Sequence, residues 1–147
     1  MDAAQALADL KEISAQIDAA VVVDGDGAVV GSTLEDADRA ERMAGAARRL
    51  LEEADGVVGA REGTPLVQLE AATPDGCVFV VREGGRTIAA VAGADPTVGL
   101  VFYDLKSCLR SLGEEERTEK KKPQAKKTQP RRKPAAKKPK KKADGAA

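Results

Sequence analysis

A change of composition after Gly113 divides the chain into a part that can fold and a part that cannot. Between Lys120 and Lys142 the chain holds lysine, arginine, proline, alanine and small polar residues, without one large apolar side chain. A segment with nothing apolar to bury cannot offset the entropy lost on ordering, so we expect it to be disordered. The sequence therefore predicts one folded domain, residues 1–113, followed by a basic tail, residues 114–147.

The two parts carry opposite charges, which the zero net charge of the 147 residues conceals. Residues 1–113 hold 10 basic and 19 acidic side chains, whereas residues 114–147 hold 14 basic and 5 acidic ones. A basic run without aromatic residues binds polyanions by counterion release and does not read bases. Nucleic acid, anionic lipid and the acidic domain itself remain open as the tail's partner. The predicted polyanion-binding residues are Lys120, Lys121, Lys122, Lys126, Lys127, Arg131, Arg132, Lys133, Lys137, Lys138, Lys140, Lys141 and Lys142.

The composition also excludes several classes of active site. The chain has no histidine and only two cysteines, Cys77 and Cys108, so Ser–His pairs, His-ligated metals and four-cysteine zinc sites are excluded. We expect both cysteines to be buried thiols, and residues 24–27 to form a hairpin turn, since they lack the further ligands of a calcium loop. We predict no catalytic site, no cofactor and no metal. Because we find neither a secretory signal nor a membrane-spanning stretch, we expect a cytoplasmic protein.

The spacing of apolar residues predicts an α+β domain in the order α-β-β-α-β-β-β-α, a five-stranded antiparallel sheet with helices on its faces. Helical spacing covers residues 2–17, 33–55 and 95–113, with Asp2, Ser32 or Thr33, and Asp95 as expected N-caps. We expect the strands at residues 19–23, 28–30, 66–73, 77–81 and 87–91. The second helix has one apolar stripe, formed by Ala37, Ala40, Met43, Ala44, Ala47, Leu50, Leu51 and Ala54.

This element order, the hairpin at residues 21–27, the alanine-rich second helix and the segment 84–112 together resemble the Roadblock/LC7 family over residues 3–112. The resemblance implies a non-enzymatic homodimer that serves as a scaffold for, or a regulator of, a small Ras-like GTPase. In that family the second helix packs antiparallel on its copy, and the third strand pairs with its own copy. The corresponding segments here are residues 35–53 and 66–71.

The resemblance implies a dimer interface on the polar back of the second helix and on the third strand. The predicted interface residues are Asp38, Glu41, Arg42, Gly45, Arg49, Glu52, Leu66, Gln68 and Glu70. A mid-helix glycine costs about 1 kcal/mol relative to alanine, and either close helix approach or a tolerated surface position accounts for Gly45. The alternative function is that of a nucleoid-type nucleic-acid-binding protein, in which the folded domain only dimerises the basic tails.

Overall fold

The computed structural model describes residues 2–59 and 64–114, and within them the predicted α+β class and element order are confirmed. No helix among these residues has both the length and the apolar character needed to cross a bilayer. The elements are α1 (Ala3–Ile13), β1 (Ile17–Val23), β2 (Val29–Ser32), α2 (Ala37–Val58), β3 (Gln68–Thr73), β4 (Gly76–Glu83), β5 (Arg86–Gly93) and α3 (98–114).

The strands form one antiparallel sheet in the order β2-β1-β5-β4-β3. Two-residue turns join β3 to β4 and β4 to β5, and the second turn consists of Gly84 and Gly85. Both have positive φ, 65° and 81°, a conformation that glycine adopts without the steric cost of a Cβ atom. The sheet order leaves β2 and β3 as its two edges.

Each face of the sheet has its own core. The core between the sheet and the helices α1 and α3 centres on Phe79, which is fully buried and meets Phe102 edge to face, with ring centroids 5.1 Å apart. On the other face, α2 packs its small side chains against Val21 and Val80. The buried residues of α2 are Ala40, Ala44, Ala47 and Leu51.

Coverage of the α2 face is uneven across the sheet. The helix lies mainly over β1, β2 and β5. On the remaining side, Leu69 and Ala71 of β3 and Val78 of β4 are only half-buried. The α2 face therefore has an apolar region beside the β3 edge that the helix covers only partly.

The predicted start of α2 was wrong. The N-cap is Asp36, whose Oδ1 accepts hydrogen bonds from the backbone N–H groups of Asp38 and Arg39. The hydroxyl of Thr33 instead accepts a hydrogen bond from Ala20 N–H and so holds the chain beside β1. The helix also continues past Gly56 to Val58, where Gly59 ends it with a left-handed backbone.

The outer helices also differ from the prediction at their ends. The first helix stops at Ile13, because the extended backbone of Ser14 turns the chain so that Ile17 begins β1. Asp95 has a φ of 55° and does not cap α3. The carbonyl of Thr97 instead accepts the first helical hydrogen bonds, and α3 continues through Gly113 to residue 114.

Candidate functional site

The outer edge of β3 presents backbone groups that no described residue uses. Arg82 N–H donates to the Val67 carbonyl at 2.8 Å, so Val67 and Arg82 form a hydrogen-bonded pair. This pair determines which residues of β3 bond to β4. Because bonded residues alternate along such a pair, the odd-numbered residues of β3 bond to β4. The even-numbered residues Gln68, Glu70 and Ala72 therefore direct their N–H and carbonyl groups away from the sheet.

The side chains of β3 divide between the two faces of the sheet, as their alternation predicts. Leu69 pairs with Val80 and lies half-buried on the α2 face. Glu70 pairs with Phe79 on the opposite face and is exposed. This edge thus combines open backbone groups with an apolar side chain on one face and a charged one on the other.

The second edge, β2, is poorly suited to pairing. It has four residues, and its register with β1 shifts between Val22 and Val23. A Cβ atom added to Gly31 would lie 2.7 Å from the Cβ of Ala3, so α1 packs directly on this strand. Short and irregular edge strands resist pairing with other chains. Among the described residues, β3 is therefore the edge that can accept a further strand.

A second exposed apolar surface runs along α2. Met43, Leu50 and Val57 are spaced seven residues apart, so they lie on one side of the helix. Met43 is half-buried, Leu50 is 39% exposed and Val57 is 86% exposed. We call these three residues the apolar flank of α2. The sequence pattern did not predict this surface, because helical spacing places Met43 and Leu50 on the apolar stripe of the helix.

The predicted interface residues of α2 occupy a different side of the helix. Gly45 is half-buried and the other five, Asp38, Glu41, Arg42, Arg49 and Glu52, are exposed. A Cβ atom built on Gly45 would meet only Arg49 Nη1, at 3.5 Å, so nothing described inside the protomer requires a glycine there. The role of these residues in dimerisation stays a prediction.

A polar cluster fastens the end of α2 to the segment that precedes β3. Asp55 Oδ1 accepts a hydrogen bond from Leu66 N–H at 2.8 Å, and Arg82 Nη2 lies 3.1 Å from Asp55 Oδ2. The Arg82 side chain also donates to the Leu66 carbonyl through Nε, at 2.9 Å, and Nη2, at 2.6 Å. The hydrogen bond from Leu66 N–H lowers the pKa of Asp55, and the Arg82 guanidinium lowers it further by a smaller amount.

This cluster, Asp55–Leu66–Arg82, has two consequences for the predicted strand residues. It uses both backbone groups of Leu66, so the open edge begins only at Gln68. It also ties β3 to the helix that carries the apolar flank. No sequence motif predicts the cluster, because its three residues are far apart in the chain and meet only in the folded domain.

A cleft of about 750 Å³ opens where the turns at residues 24–27 and 84–85 come together beside α2. Its charged lining residues are Asp24, Arg48, Glu52, Arg82, Glu83 and Lys106. Cations and carboxylates are equal in number there, and two carboxylates are already engaged. Asp24 Oδ1 accepts from Asp26 and Ala28 N–H, as in the predicted hairpin turn, and Glu83 pairs with Arg110 at 2.7 Å. The described lining residues of the cleft therefore carry no excess of one charge that would select an ion.

The carboxylates and cysteines that the structure describes form no ligand cluster, and both cysteines are buried. Within residues 2–59 and 64–114, no three His, Cys, Asp or Glu side chains are grouped so that they could hold a metal ion. Cys77 and Cys108 are free and buried, as predicted. Burial, with a smaller contribution from Asp9, raises the pKa of the Cys108 thiol to about 11.

The described residues form a small α+β domain, an antiparallel sheet with helices on both faces and β2 and β3 at its edges. The Roadblock/LC7 domain family matches residues 5–92, and the chain belongs to this family. No curated protein sequence matches the chain.

Solved structures share this fold. A Roadblock/LC7 domain from Streptomyces avermitilis superposes with a TM-score of 0.69 at 21% identity, covering 80% of this chain and 100% of that one. MglB from Myxococcus xanthus gives 0.55 at 12% identity, with 79% and 92% covered. A structure of MglB in a tetrameric arrangement gives 0.53 at 15% identity, with 75% and 86% covered. At these identities the likeness establishes the fold alone.

The predicted polyanion-binding residues, from Lys120 to Lys142, lie outside the described residues, and the family match ends at residue 92. Binding of nucleic acid or another polyanion by the tail stays a prediction.

Proposed function

We propose that the chain is a cytoplasmic, non-enzymatic homodimer that binds a small Ras-like GTPase and regulates or scaffolds it. The observation that carries the dimer is the open edge of β3 beside an incompletely covered apolar face. An exposed strand edge is an aggregation hazard unless it is paired or covered. Two-fold pairing with a second copy would cover the β3 edges of both protomers at once. Such isologous dimers are the commonest soluble oligomers.

The apolar flank of α2 supports the same assembly. Met43 of the flank and Leu69 of β3 both pack against the core between α2 and the sheet. Pairing of β3 edges would extend the α2 face of the sheet across two protomers and bring two helices over it. Burying a Val or Leu side chain fully contributes about 1.5–3 kcal/mol, so covering Leu50 and Val57 in both copies would contribute substantially to the association.

Membership in the Roadblock/LC7 family supports the GTPase partner, since that family is one of scaffolds and regulators of small Ras-like GTPases. An MglB relative solved in a tetrameric arrangement supports self-association in this fold. In this proposal the protein acts on the conformation of its partner and contributes no chemistry of its own.

The test begins with the oligomeric state of the full chain, measured by sedimentation between 1 and 100 µM. Purified small GTPases encoded in the same genome are then loaded with GDP or a GTP analogue. Binding and GTP hydrolysis are measured for the full chain and for residues 1–113. A dimer that binds one nucleotide state better, with or without the tail, is the expected result.

Two outcomes contradict the proposal. A chain that stays monomeric at 100 µM removes the dimer. If deleting residues 114–147 abolishes all partner binding while DNA binding belongs to the tail alone, the protein is instead a nucleic-acid-binding dimer of the nucleoid type.

A further inference from the structure

We propose that the two-fold axis of the dimer passes through Leu69, so that Gln68 of each copy lies opposite Glu70 of the other. The inference rests on the proposed dimer and names the pairing register within it. It assigns Gln68 and Glu70 as the residues that select this register over its neighbours.

The alternation of backbone groups along β3, toward β4 and away from it, restricts the possible pairing registers. Among the described residues of β3, only 68, 70 and 72 direct their N–H and carbonyl groups to the outer edge, so even-numbered residues must pair with even-numbered ones. Leu66 cannot take part, because its N–H and carbonyl are bound by Asp55 and Arg82. Pro74, on the other side, has no N–H to donate. The registers with two or more bonded residue pairs are therefore centred on Leu69, Glu70 or Ala71.

The register centred on Glu70 forms the most backbone hydrogen bonds, but it sets two carboxylates against each other. Residues at the centre of a two-fold pair face their own copies, and the Glu70 side chains would stand on neighbouring Cα atoms about 5.5 Å apart. Like charges directly opposite each other destabilise a strand pair. The additional hydrogen bonds only replace bonds to water at an open edge, so their net contribution is modest.

The register centred on Leu69 gives favourable side-chain pairs on both faces of the sheet. On the α2 face, Leu69 meets its copy in a non-hydrogen-bonded pair, where Cα atoms approach to about 4.5 Å and side chains touch best. On the opposite face, the Gln68 amide can donate to the Glu70 carboxylate of the other copy, twice by symmetry. The register centred on Ala71 pairs only small side chains at the axis and gives Glu70 no donor.

Disulfide trapping in the full chain tests this register. Single variants Leu69→Cys, Glu70→Cys and Ala71→Cys are oxidised, and the fraction of covalent dimer is read on a non-reducing gel. The native cysteines do not interfere, since Cys77 is 5% and Cys108 is 6% exposed. A residue on the axis lies within disulfide distance of its copy, whereas Glu70 would be displaced from its copy by two residues, about 6.8 Å along the strand. We expect L69C to cross-link at least tenfold faster than E70C and A71C.

A mixed experiment covers the case in which L69C fails to fold. Gln68→Cys and Glu70→Cys proteins, one of them carrying a size tag, are mixed and oxidised, and the mixed covalent dimer should exceed either self-linked product. Faster cross-linking of E70C or A71C overturns the register and leaves the dimer intact. A sedimenting dimer that none of these variants traps overturns pairing through β3. A monomer in sedimentation overturns the proposed function itself.

Discussion

Replacing Leu50 by alanine should weaken the dimer without unfolding the protomer. Leu50 lies on the apolar flank of α2 and is 39% exposed, so much of its surface is free for a partner to cover. Alanine keeps the helix propensity of the position. The variant therefore removes contact area from the proposed interface and leaves the rest of α2 in place.

The size of the effect follows from the exposed fraction. Full burial of a leucine contributes about 1.5–3 kcal/mol, so covering 39% of Leu50 contributes about 1 kcal/mol in each protomer. Two-fold symmetry counts this contribution twice, giving about 2 kcal/mol in the dimer, which corresponds to a rise in Kd of about 30-fold.

Sedimentation equilibrium over a concentration series measures this Kd, and Leu100→Ala provides the matched control. Leu100 is 50% exposed but lies on α3, across the sheet from α2, so its loss should leave the Kd within about threefold of wild type. Gly45→Leu separates the two sides of α2, because it weakens the dimer only if the helices meet at Gly45. An unchanged Kd for L50A, or an equal effect of L100A, would refute the placement of the interface on the apolar flank.

Three further predictions concern the protomer. Gly76→Ala should destabilise the fold in urea by about 1–3 kcal/mol, because the new Cβ would lie 2.8 Å from a β5 carbonyl oxygen, whereas Gly93→Ala meets open space and should be tolerated. The pKa of Asp55 is lowered in the folded state, so its stabilising contribution is complete above the unfolded pKa and is lost as the pH falls through the folded value. Asp55→Asn should lower the Tm at pH 7 and flatten its acid dependence, unlike Glu53→Gln, and equal acid slopes would contradict this. Cys77 and Cys108 are 5% and 6% exposed, and burial raises the pKa of Cys108 to about 11, so a thiol reagent at pH 8 should label the protein only after unfolding.

Local sequence patterns were sufficient to predict the fold class. The β-branched runs around residues 24–27 and the turn at Gly84–Gly85 specify hairpins, and the alanine spacing of α2 specifies a helix that packs closely on a sheet. These signals are short in range, and the structure satisfies each of them.

Helix ends were less predictable, because several residues compete for one role. Ser32, Thr33 and Asp36 are all good N-caps, and the choice among them depends on β1, which binds the Thr33 hydroxyl through Ala20 N–H. Asp95 resembles a cap in sequence, but the backbone there is left-handed. Such outcomes depend on tertiary contacts that the sequence does not display.

The candidate site was predicted only in part, for the same reason. Alternation predicted that Leu69 and Glu70 lie on opposite faces. Which residues direct their backbone groups outward, however, follows from the hydrogen bond between Arg82 and Val67. Likewise, the exposure of Leu50 depends on how α2 is rotated against the sheet. Periodicity identifies an apolar stripe, and packing decides which of its members stay available to a partner.

The inequality of the two sheet edges limits how far these protomers can assemble through strands. The shifted register and short length of β2 make it a poor second acceptor. A protomer that pairs through one edge can bind one other protomer in this way. A higher concentration therefore increases the fraction of dimers and does not produce longer strand-paired assemblies. Straightening that strand by mutation would convert a finite unit into a monomer for polymerisation.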